Sequence, residues 1–401
     1  MKCMIVSHRI FRLFTLLAAS LLAAGPIAAA AAEPDQQPLW TSGEGGYYSY
    51  RIPSLIVTGR GTLLAFCEAR KNSRSDTGRI DLVFRRSTDG GKSWGPQQVL
   101  WADGENTCGN PCPVVDHTTG TVWLLLTHNL GRDDESEIKS GTADGTRTVW
   151  VSRSNDDGET WSPPVDITAS AKNPKWGWYA TGPGIGIQIQ HGPHKGRLIV
   201  PCDYTIDERK PGEAKPRVVR GSHAIYSDDH GQTWKLGGTI APDMNECQVV
   251  ELAGGRGELL MNMRSYRGKS RRGHARSTDG GKTWSEAVDV PELIEPVCQA
   301  SILRGAWPKE DDPGLLLFSN PADGRQRIRL TVRTSRDEGK SWNEGRELHA
   351  GPAAYSCLAA LDNGTFACLY ERGEKSAYDT ITFARFSREW VNGASNARSA
   401  K

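Results

Sequence analysis

The octapeptide STDGGKSW occupies residues 87–94, and close copies recur four times along the chain. They are SNDDGETW at 154–161, SDDHGQTW at 227–234, STDGGKTW at 277–284 and SRDEGKSW at 335–342. Each copy follows a run of alternating or β-branched residues and precedes a shorter run that ends in an apolar residue. Two strands joined by a turn rich in Asp and Gly form a β-hairpin. The sequence therefore predicts five related hairpins, and we call their turns the Asp boxes.

Each characteristic residue of an Asp box can be assigned a structural role. The Asp can accept hydrogen bonds from N–H groups of its own turn, and the Gly adopts a backbone conformation that other residues resist. The Trp is expected to fold back over the turn as a hydrophobic plug. We therefore interpret the boxes as the frame of the protein rather than as its catalytic part.

The spacing of the boxes predicts the architecture. Their first residues are 67, 73, 50 and 58 positions apart, which suits a repeating four-stranded sheet with variable loops. Residues 33–401 number 369, enough for six sheets of about 61 residues each. The sixth sheet lacks a box and would combine 354–371 and 378–387 with the N-terminal segment 38–43. The prediction is an all-β, six-bladed β-propeller in one domain.

Two β-sandwich domains are the main alternative to a propeller. The chain has no stretch rich in Pro, Ser or Gly that divides its middle, as a linker between two such domains would. This absence favours the single ring of sheets.

The first residues predict a secretory signal peptide over 1–32. Basic residues precede an apolar run at 13–24, and small residues follow up to Ala32, near which cleavage is expected. The apolar run has about a dozen residues, whereas a membrane-spanning helix needs ~20. The sequence thus predicts a secreted or periplasmic protein with no membrane span.

Charge and cysteine content exclude several classes of function. The leader holds three of the 49 basic residues and none of the 47 acidic ones, so the remainder has a net charge of 46 − 47 = −1. That balance does not predict nucleic-acid binding. Eight cysteines lie beyond the leader; Cys108 and Cys112 are the first pair to consider for a disulfide, although buried thiols explain them equally well. No metal site is predicted, and His191 and His194 are interpreted as surface residues of a Gly-Pro turn.

Several polar motifs remain that strands do not require: YRIP (50–53), SRSDTGRIDL (73–82), NECQVVE (245–251), NMRS (262–265), RQRIRLTVR (325–333) and AYS (354–356). Their order, together with the five boxes, resembles the exo-α-sialidases, or neuraminidases, from about Tyr47 to Arg385. The box alone also occurs in other propellers and in secreted proteins that are not enzymes. The ordered set of motifs is what carries the resemblance.

The resemblance implies a carboxylate-binding triad of Arg51, Arg264 and Arg327. A planar guanidinium holds a carboxylate through two parallel hydrogen bonds, so three of them would select a sugar acid. The neighbouring arginines remain register alternatives to Arg327: Arg325, Arg329 and Arg333.

The resemblance also implies Tyr355 as the nucleophile and Glu246 as its base. A sialic acid carries a carboxylate on the carbon under attack and would repel an anionic nucleophile, whereas a tyrosine hydroxyl approaches as a neutral group. Asp76 is implied as the acid that protonates the departing oxygen and then activates water, with Asp81 as the alternative register. Arginines lower the pKa of such an Asp and desolvation raises it, and we expect a mildly acidic rate optimum.

Supporting roles are implied for five further residues. Glu371 and Glu68 would steady the arginines, and Arg70 would add positive charge near the carboxylate site. Tyr179 and Thr181 would contact the glycerol or aglycone side of the substrate.

The resemblance as a whole implies hydrolysis of terminal α-linked sialic acids on glycans or glycoproteins, with retention and without a metal or organic cofactor. Three alternatives stay open: a hydrolase for another 2-keto sugar acid such as Kdn, a propeller that binds sialic acid without cleaving it, and a transferase.

Overall fold

The computed structural model describes Met1 and residues 31–393. The predicted signal peptide lies almost entirely outside the described residues. Strands dominate the described part of the chain, so the predicted all-β class is confirmed. The described residues from Ala32 onwards form one compact unit. Within residues 31–393 no helix has both the length and the apolar character needed to cross a membrane.

The first strands in chain order are β1 (Asp35–Thr41), β2 (Ser49–Val57), β3 (Leu63–Arg70), β4 (Ile80–Ser87), β5 (Gln98–Trp101), β6 (Thr107–Val115), β7 (Val122–Asn129) and β8 (Thr148–Ser154). They are followed by β9 (Val165–Asp166), β10 (Trp176–Thr181), β11 (Ile187–Gln188), β12 (Leu198–Asp207), β13 (Val218–Ser227), β14 (Lys235–Ile240), β15 (Met244–Glu251) and β16 (Leu259–Ser265). The last are β17 (Arg271–Ser277), β18 (Val288–Ile294), β19 (Ser301–Ala306), β20 (Leu315–Pro321), β21 (Ile328–Ser335), β22 (Arg346–Ala360), β23 (Thr365–Arg372) and β24 (Thr380–Ser387). The helices are α1 (Glu135–Ser140), α2 (Thr168–Ala171) and α3 (Arg388–Asn392), with a 3₁₀ turn at Asp362–Gly364.

The strands pair into four sheets, and neighbouring strands are mostly consecutive and antiparallel. One sheet has the order β2-β3-β4-β6-β7-β8-β9 with β5 beside β4, and a second has β10-β12-β13-β14 with β11 beside β12. The third is β15-β16-β17-β18. The fourth is β1-β24-β23-β22-β21-β20-β19, in which the N-terminal strand β1 pairs antiparallel with β24 as the sequence predicts.

Each Asp box forms the turn between two antiparallel strands, which confirms the predicted hairpins. In the first box, Asp89 Oδ1 accepts hydrogen bonds from the Ser87 hydroxyl at 2.8 Å and the Ser93 N–H at 3.0 Å. The Gly91 N–H donates to the Ser87 hydroxyl, and Gly91 has a φ of 85°, which favours glycine. The same bonds recur in the other four boxes.

The box tryptophans Trp284 and Trp342 lie against the glycine of their own turns, as predicted, and other box tryptophans also contact neighbouring strands. Trp94 contacts Phe383 of β24 with ring centroids 5.2 Å apart, and Trp234 contacts Trp123 of β7 at 6.4 Å. Trp94 and Trp234 thus each contact a strand of another sheet, which buries more of the indole than a turn alone can. The boxes therefore join one sheet group to the next.

Irregularities in strand pairing occur beside polar side chains on five strands, which we call the inner strands. β-Bulges or register shifts interrupt the pairing of β2, β6, β10, β15 and β22 with, in that order, β3, β7, β12, β16 and β23. The interruptions include or flank Arg51, Asn110, Trp178, Glu246 and Tyr355. A bulge bends the strand and changes the direction of a side chain. These bulges allow strands with apolar faces to direct polar groups into one common pocket.

The suspected disulfide between Cys108 and Cys112 is not formed. Cys108 and Cys112 both lie on strand β6 as buried free thiols, and the other six cysteines of the described residues are also buried and free. Four positions along an extended strand separate two Cα atoms by about 13 Å, beyond the reach of a disulfide.

Candidate active site

The inner strands surround a pocket of about 230 Å³ with a polar lining. It contains six of the predicted residues: Arg51, Asp76, Glu246, Arg264, Arg327 and Tyr355. They come from segments far apart in sequence, so the fold rather than local structure brings them together. Glu68 also lines the pocket, whereas Arg70 and Glu371 stand directly behind it.

Tyr355 and Glu246 form the closest pair in the pocket. The Tyr355 hydroxyl donates to Glu246 Oε1 at 2.5 Å, and Arg264 Nη1 donates to Glu246 Oε2 at 2.7 Å. The same Nη1 lies 3.2 Å from the Tyr355 oxygen. Glu246 therefore has the charged partner that a buried carboxylate requires, and it is placed to accept the phenolic proton.

Electrostatics keep Tyr355 neutral in the free protein. Burial raises the pKa of Tyr355 well above its usual value, and the charge of Glu246 raises it further, while Arg264 and Arg327 act in the opposite sense. The phenol can therefore act as a nucleophile only when its proton passes to a base during the reaction.

Glu371 holds the strand ends on both sides of the reacting group. Its carboxylate accepts from Arg51 Nε at 3.1 Å and from the Ile52 N–H at 3.0 Å, and it also accepts from the Tyr355 N–H at 3.1 Å. Glu371 is fully buried. Ile52 has a φ of 60°, a strained value for a β-branched residue, which these contacts stabilise. Glu371 thus contacts both Arg51 and the backbone of Tyr355.

Arg327 is the arginine of its segment that reaches the pocket. Its Nη1 donates to the Tyr378 hydroxyl at 2.8 Å, and its guanidinium lies 5.6 Å from the centre of the Tyr355 ring. Arg329 instead pairs with exposed Glu347. Tyr378 also stacks against Arg51 at 4.5 Å, so it supports two of the three arginines. No motif in the sequence pointed to Tyr378.

The carboxylate of Asp76 forms ion pairs with two guanidinium groups. Its Oδ1 accepts from Arg70 Nη2 at 2.5 Å and lies 3.6 Å from Arg51 Nη1. Partial burial raises the pKa of Asp76, but the charges of Arg70 and Arg51 outweigh it and hold that pKa well below the usual range. Glu68 fixes Arg70 through Nε and Nη2. The alternative Asp81 accepts a hydrogen bond from Tyr47 and does not line the pocket.

The predictions for Tyr179 and Thr181 are wrong. Both side chains are buried outside the pocket; the Tyr179 hydroxyl donates to the Ala171 carbonyl and the Thr181 hydroxyl to the Asn110 carbonyl. The register shift between Trp176 and Tyr179 places Trp178 in the pocket instead. The bulge determines which side chain faces the pocket, and no residue pattern announces it.

Sequence reasoning missed part of the pocket lining: Asn110, Glu135, Lys139, Arg147, Asp203, Arg220, Asn245 and Tyr266. Asn245 belongs to the quoted motif NECQVVE, which was the available signal; Asn110 and Asn245 both lie at bulges that the sequence does not announce. Glu135 and Lys139 lie on the short helix α1, for which the sequence showed no functional pattern.

Metal-ligand geometry is lacking in the described part of the chain. No group of three or more His, Cys, Asp or Glu side chains could hold a metal ion there. His191 bonds to Glu251 through Nδ1, and neither His191 nor His194 lines the pocket.

Comparison with known proteins places this geometry in a family. The family model described as a BNR repeat-like domain matches residues 61–368. A sialidase of Micromonospora viridifaciens is 35% identical over 94% of this chain and 59% of its own length, so the chain spans about three fifths of that relative. Human sialidase-4 is 31% identical over 84% of this chain and 90% of its own length.

This chain belongs to the exo-α-sialidase family. Among solved structures, the Hadza microbial sialidase Hz136 superposes with a TM-score of 0.78 at 32% identity, covering 89% of this chain and 69% of that one. The sialidase fold is thus shared along almost all of the described residues.

Proposed function

We propose that this sialidase-family protein hydrolyses terminal α-linked sialic acids from glycans or glycoproteins, with retention and through a covalent intermediate on Tyr355. The observation that carries the proposal is the 2.5 Å hydrogen bond between Tyr355 and Glu246 inside a pocket that also contains three arginines. A neutral nucleophile with a fixed base, surrounded by cations, suits an anionic sugar.

The proposal assigns the first step to six residues. Arg51, Arg264 and Arg327 bind the carboxylate, and the Tyr355 oxygen attacks the anomeric carbon while its proton passes to Glu246. As this bond forms, Asp76 donates its proton to the glycosidic oxygen, and the bond between that oxygen and the anomeric carbon breaks.

In the second step, Asp76 removes a proton from water, and the water oxygen attacks the same carbon. The bond to Tyr355 breaks, and the phenolate regains its proton from Glu246. Two successive displacements at one carbon give retention.

Asp76 must be protonated for the first step, although arginines lower its pKa in the free protein. Binding of the substrate carboxylate to Arg51 brings a second anion beside Asp76. A neighbouring like charge raises the pKa of a carboxyl group. Asp76 is therefore an effective acid in the complex rather than in the free protein, and this keeps the expectation of a mildly acidic optimum.

The proposal includes six blades around this pocket. The sheet that begins with β2 divides into two groups of four at its one parallel pair, Ile80 with Thr107. Strand β22 pairs with β21 through its first half and with β23 through its second half, which divides the sheet containing β1 in the same way. With the other two sheets this gives six groups.

We further propose that the protein acts outside the cytoplasm, which rests on the predicted leader over residues 1–32 alone. No nucleic-acid partner, membrane span, metal or cofactor is part of the proposal.

The test is release of the fluorescent aglycone from the 4-methylumbelliferyl α-glycosides of N-acetylneuraminic acid and of Kdn, by the wild type and Tyr355→Phe. Turnover of the N-acetyl substrate that falls by at least about 10³-fold in the variant would support a tyrosyl sialidase. Turnover of the Kdn glycoside alone would mean that the protein hydrolyses Kdn rather than N-acetylneuraminic acid. Absence of turnover with both substrates would overturn the proposed hydrolysis and favour a propeller that binds the sugar without cleaving it.

A further inference from the structure

A fully buried ion pair outside the pocket has no role in the chemistry above. Arg272 Nη1 lies 2.8 Å from Glu295 Oε2, and both side chains are 0% exposed. Arg272 belongs to β17, Glu295 directly follows β18, and neither residue lines the pocket. Two charges removed from water lose more hydration energy than their mutual attraction usually returns, so an ion pair at this depth needs an explanation other than stability.

The ion pair fixes the end of the strand that carries Arg264. Glu295 Oε1 accepts a hydrogen bond from the Ser265 N–H at 2.8 Å. Ser265 is the last residue of β16 and directly follows Arg264. Earlier on the same strand, Asn262 Oδ1 accepts from Arg272 Nε at 2.8 Å. The pair thus holds β16 on both sides of Arg264 in the sequence.

The ion pair also fixes the segment 295–298, which lies between β18 and β19. Arg272 Nη1 donates to the Cys298 carbonyl at 2.6 Å. Val297 in this segment has a φ of 54°, a strained value for a β-branched residue that persists only where neighbouring contacts impose it. The Cys298 side chain belongs to the same buried cluster as Tyr355. The pair therefore supports a segment that packs beside the proposed nucleophile.

Both supported elements lead to the groups that exchange the phenolic proton. Arg264 Nη1 lies 2.7 Å from Glu246 Oε2 and 3.2 Å from the Tyr355 oxygen. The position of Arg264 therefore sets the geometry in which Glu246 accepts the proton of Tyr355. A displacement of about 1 Å, caused by a change far from the reacting atoms, can slow a reaction by about 10²-fold.

We propose that the ion pair of Arg272 and Glu295 is a positioning pair for the reacting groups. It acts through Arg264 and through the segment 295–298, and it does not contact the substrate. This inference rests on the proposed function. Glu371 offers a comparison within the same protein, because it too is a fully buried carboxylate that accepts backbone N–H groups beside a residue of positive φ.

The experiment removes both charges together, because removal of one would leave the other buried and unpaired. The first double variant, Arg272→Met with Glu295→Leu, loses the hydrogen bonds to Ser265 and Cys298. The second, Arg272→Met with Glu295→Gln, keeps a side-chain oxygen that can accept from the Ser265 N–H. Urea titration establishes that both are folded at the assay temperature.

The expected result is a loss of rate that the conservative variant partly restores. With the 4-methylumbelliferyl glycoside that the wild type turns over, kcat should fall by about tenfold or more in the first double variant. The second should recover at least about threefold of that loss. An unchanged kcat in the first double variant, or no recovery in the second, would overturn the positioning pair.

Binding separates a positioning role from a general loss of structure. Calorimetry gives the Kd of 2,3-dehydro-2-deoxy-N-acetylneuraminic acid, which should change by less than about threefold in both double variants, because Arg51 and its partner Glu371 are untouched. A rise in Kd as large as the fall in kcat would mean that the whole pocket is disturbed and would overturn the proposal.

A double-mutant cycle tests whether the pair acts through Arg264. In a background of Arg264→Lys, the change to Arg272→Met with Glu295→Leu should cost at least about threefold less in kcat than it does in the wild type, because the group that it positions is already altered. An equal cost in the two backgrounds would overturn the proposed route.

Glu251→Gln serves as the matched control. Glu251 is 3% exposed, accepts the backbone N–H groups of Gln190 and His191 and lies outside the pocket, so kcat and Kd should stay within about twofold. An equal fall in kcat for this variant would show that any buried carboxylate of the frame has the same effect, which would overturn the pair.

If the first double variant does not fold, Glu295→Asp is measured in its place, because it keeps the charge but shortens the reach to Ser265. The same fall in kcat at nearly constant Kd is expected. Wild-type protein that neither binds the ligand nor turns over a glycoside would overturn the proposed function itself. An active wild type whose kcat is matched by that of the variants would overturn the positioning pair alone.

Discussion

Asp89 in the first Asp box and Asp76 in the pocket have pKa values below the usual range for different reasons. Hydrogen bonds from the Ser93 hydroxyl, the Ser93 N–H and the Ser87 hydroxyl lower the pKa of Asp89. At Asp76, burial acts to raise the pKa, and the charges of Arg70 and Arg51 overcome it. The first carboxylate is satisfied within eight residues of sequence. The second depends on groups that other ligands can engage.

This difference distinguishes a carboxylate that stabilises the repeated fold from a carboxylate that lies in the candidate active site. A carboxylate that is satisfied by its own turn has one stable environment and no reason to change protonation. A carboxylate held by arginines shared with a substrate changes its environment when the substrate binds. The following predictions test this contrast.

The largest effect is expected for Asp76→Asn. An amide cannot supply the proton to the leaving group or activate water, so kcat/KM should fall by at least about 10²-fold. The loss should be greater for sialyllactose than for the 4-methylumbelliferyl glycoside, because a sugar alcohol is the poorer leaving group. The matched change Asp89→Asn should leave both rates within about twofold. Equal losses for the two variants would remove the distinction between box and pocket.

Trp234→Ala is expected to change the free energy of unfolding by an amount comparable to the loss of transition-state stabilisation in Asp76→Asn. Trp234 is 2% exposed and packs against Trp123 of the preceding group. Removal of a buried aromatic side chain should lower the free energy of unfolding by about 3–5 kcal/mol, as measured by urea titration. KM should stay within about twofold in the protein that remains folded, and Trp234→Phe should lose less stability. A large change in KM would mean that this box influences the pocket.

A smaller effect is expected for Arg264→Lys. Lysine keeps the charge but cannot contact Glu246, Tyr355 and a carboxylate through one planar group. Loss of one charge-assisted hydrogen bond, about 1.5–3 kcal/mol, should lower kcat/KM by about 10- to 100-fold.

The control for that variant is Arg267→Lys. Arg267 pairs with Asp289 outside the pocket, so the change should have almost no effect on rate. A wild-type rate in Arg264→Lys would contradict the assignment of Arg264 to the triad.

The smallest effect concerns acid stability. Hydrogen bonds from the Thr160 hydroxyl and N–H and from the Ser154 hydroxyl lower the pKa of Asp156 to about 2. The unfolded value is about 3.9, so this carboxylate stabilises the fold above about pH 4 and the contribution is lost as the pH falls toward 2. Asp156→Asn should flatten the dependence of unfolding free energy on pH in that window. An unchanged slope would show that the box carboxylates do not control acid stability.

Much of the frame could be predicted because its signals are local. The Asp boxes predicted the hairpins, and the need to complete a sixth sheet from the two ends of the chain predicted the pairing of β1 with β24. The contacts of Trp94 and Trp234 with Phe383 and Trp123 were not predicted, because they depend on a neighbouring sheet that an eight-residue motif does not contain.

The residues proposed to react were also named from the sequence, through ordered motifs rather than through local physics. Arg51, Glu246 and Tyr355 do face one pocket. The expectation for Tyr179 failed because a bulge in β10 turns Trp178 into the pocket instead. Tyr378, Arg147 and Asp203 carried no motif.

The sequence by itself determined which turns form, which carboxylates are satisfied by their own turn, and which residue types are available for catalysis. These depend on hydrogen bonds between residues a few positions apart. Only the tertiary structure decided which side chains meet in the pocket and which charges control the pKa of Asp76. Those properties depend on β-bulges and on strands from different sheets, so no short stretch of sequence contains them.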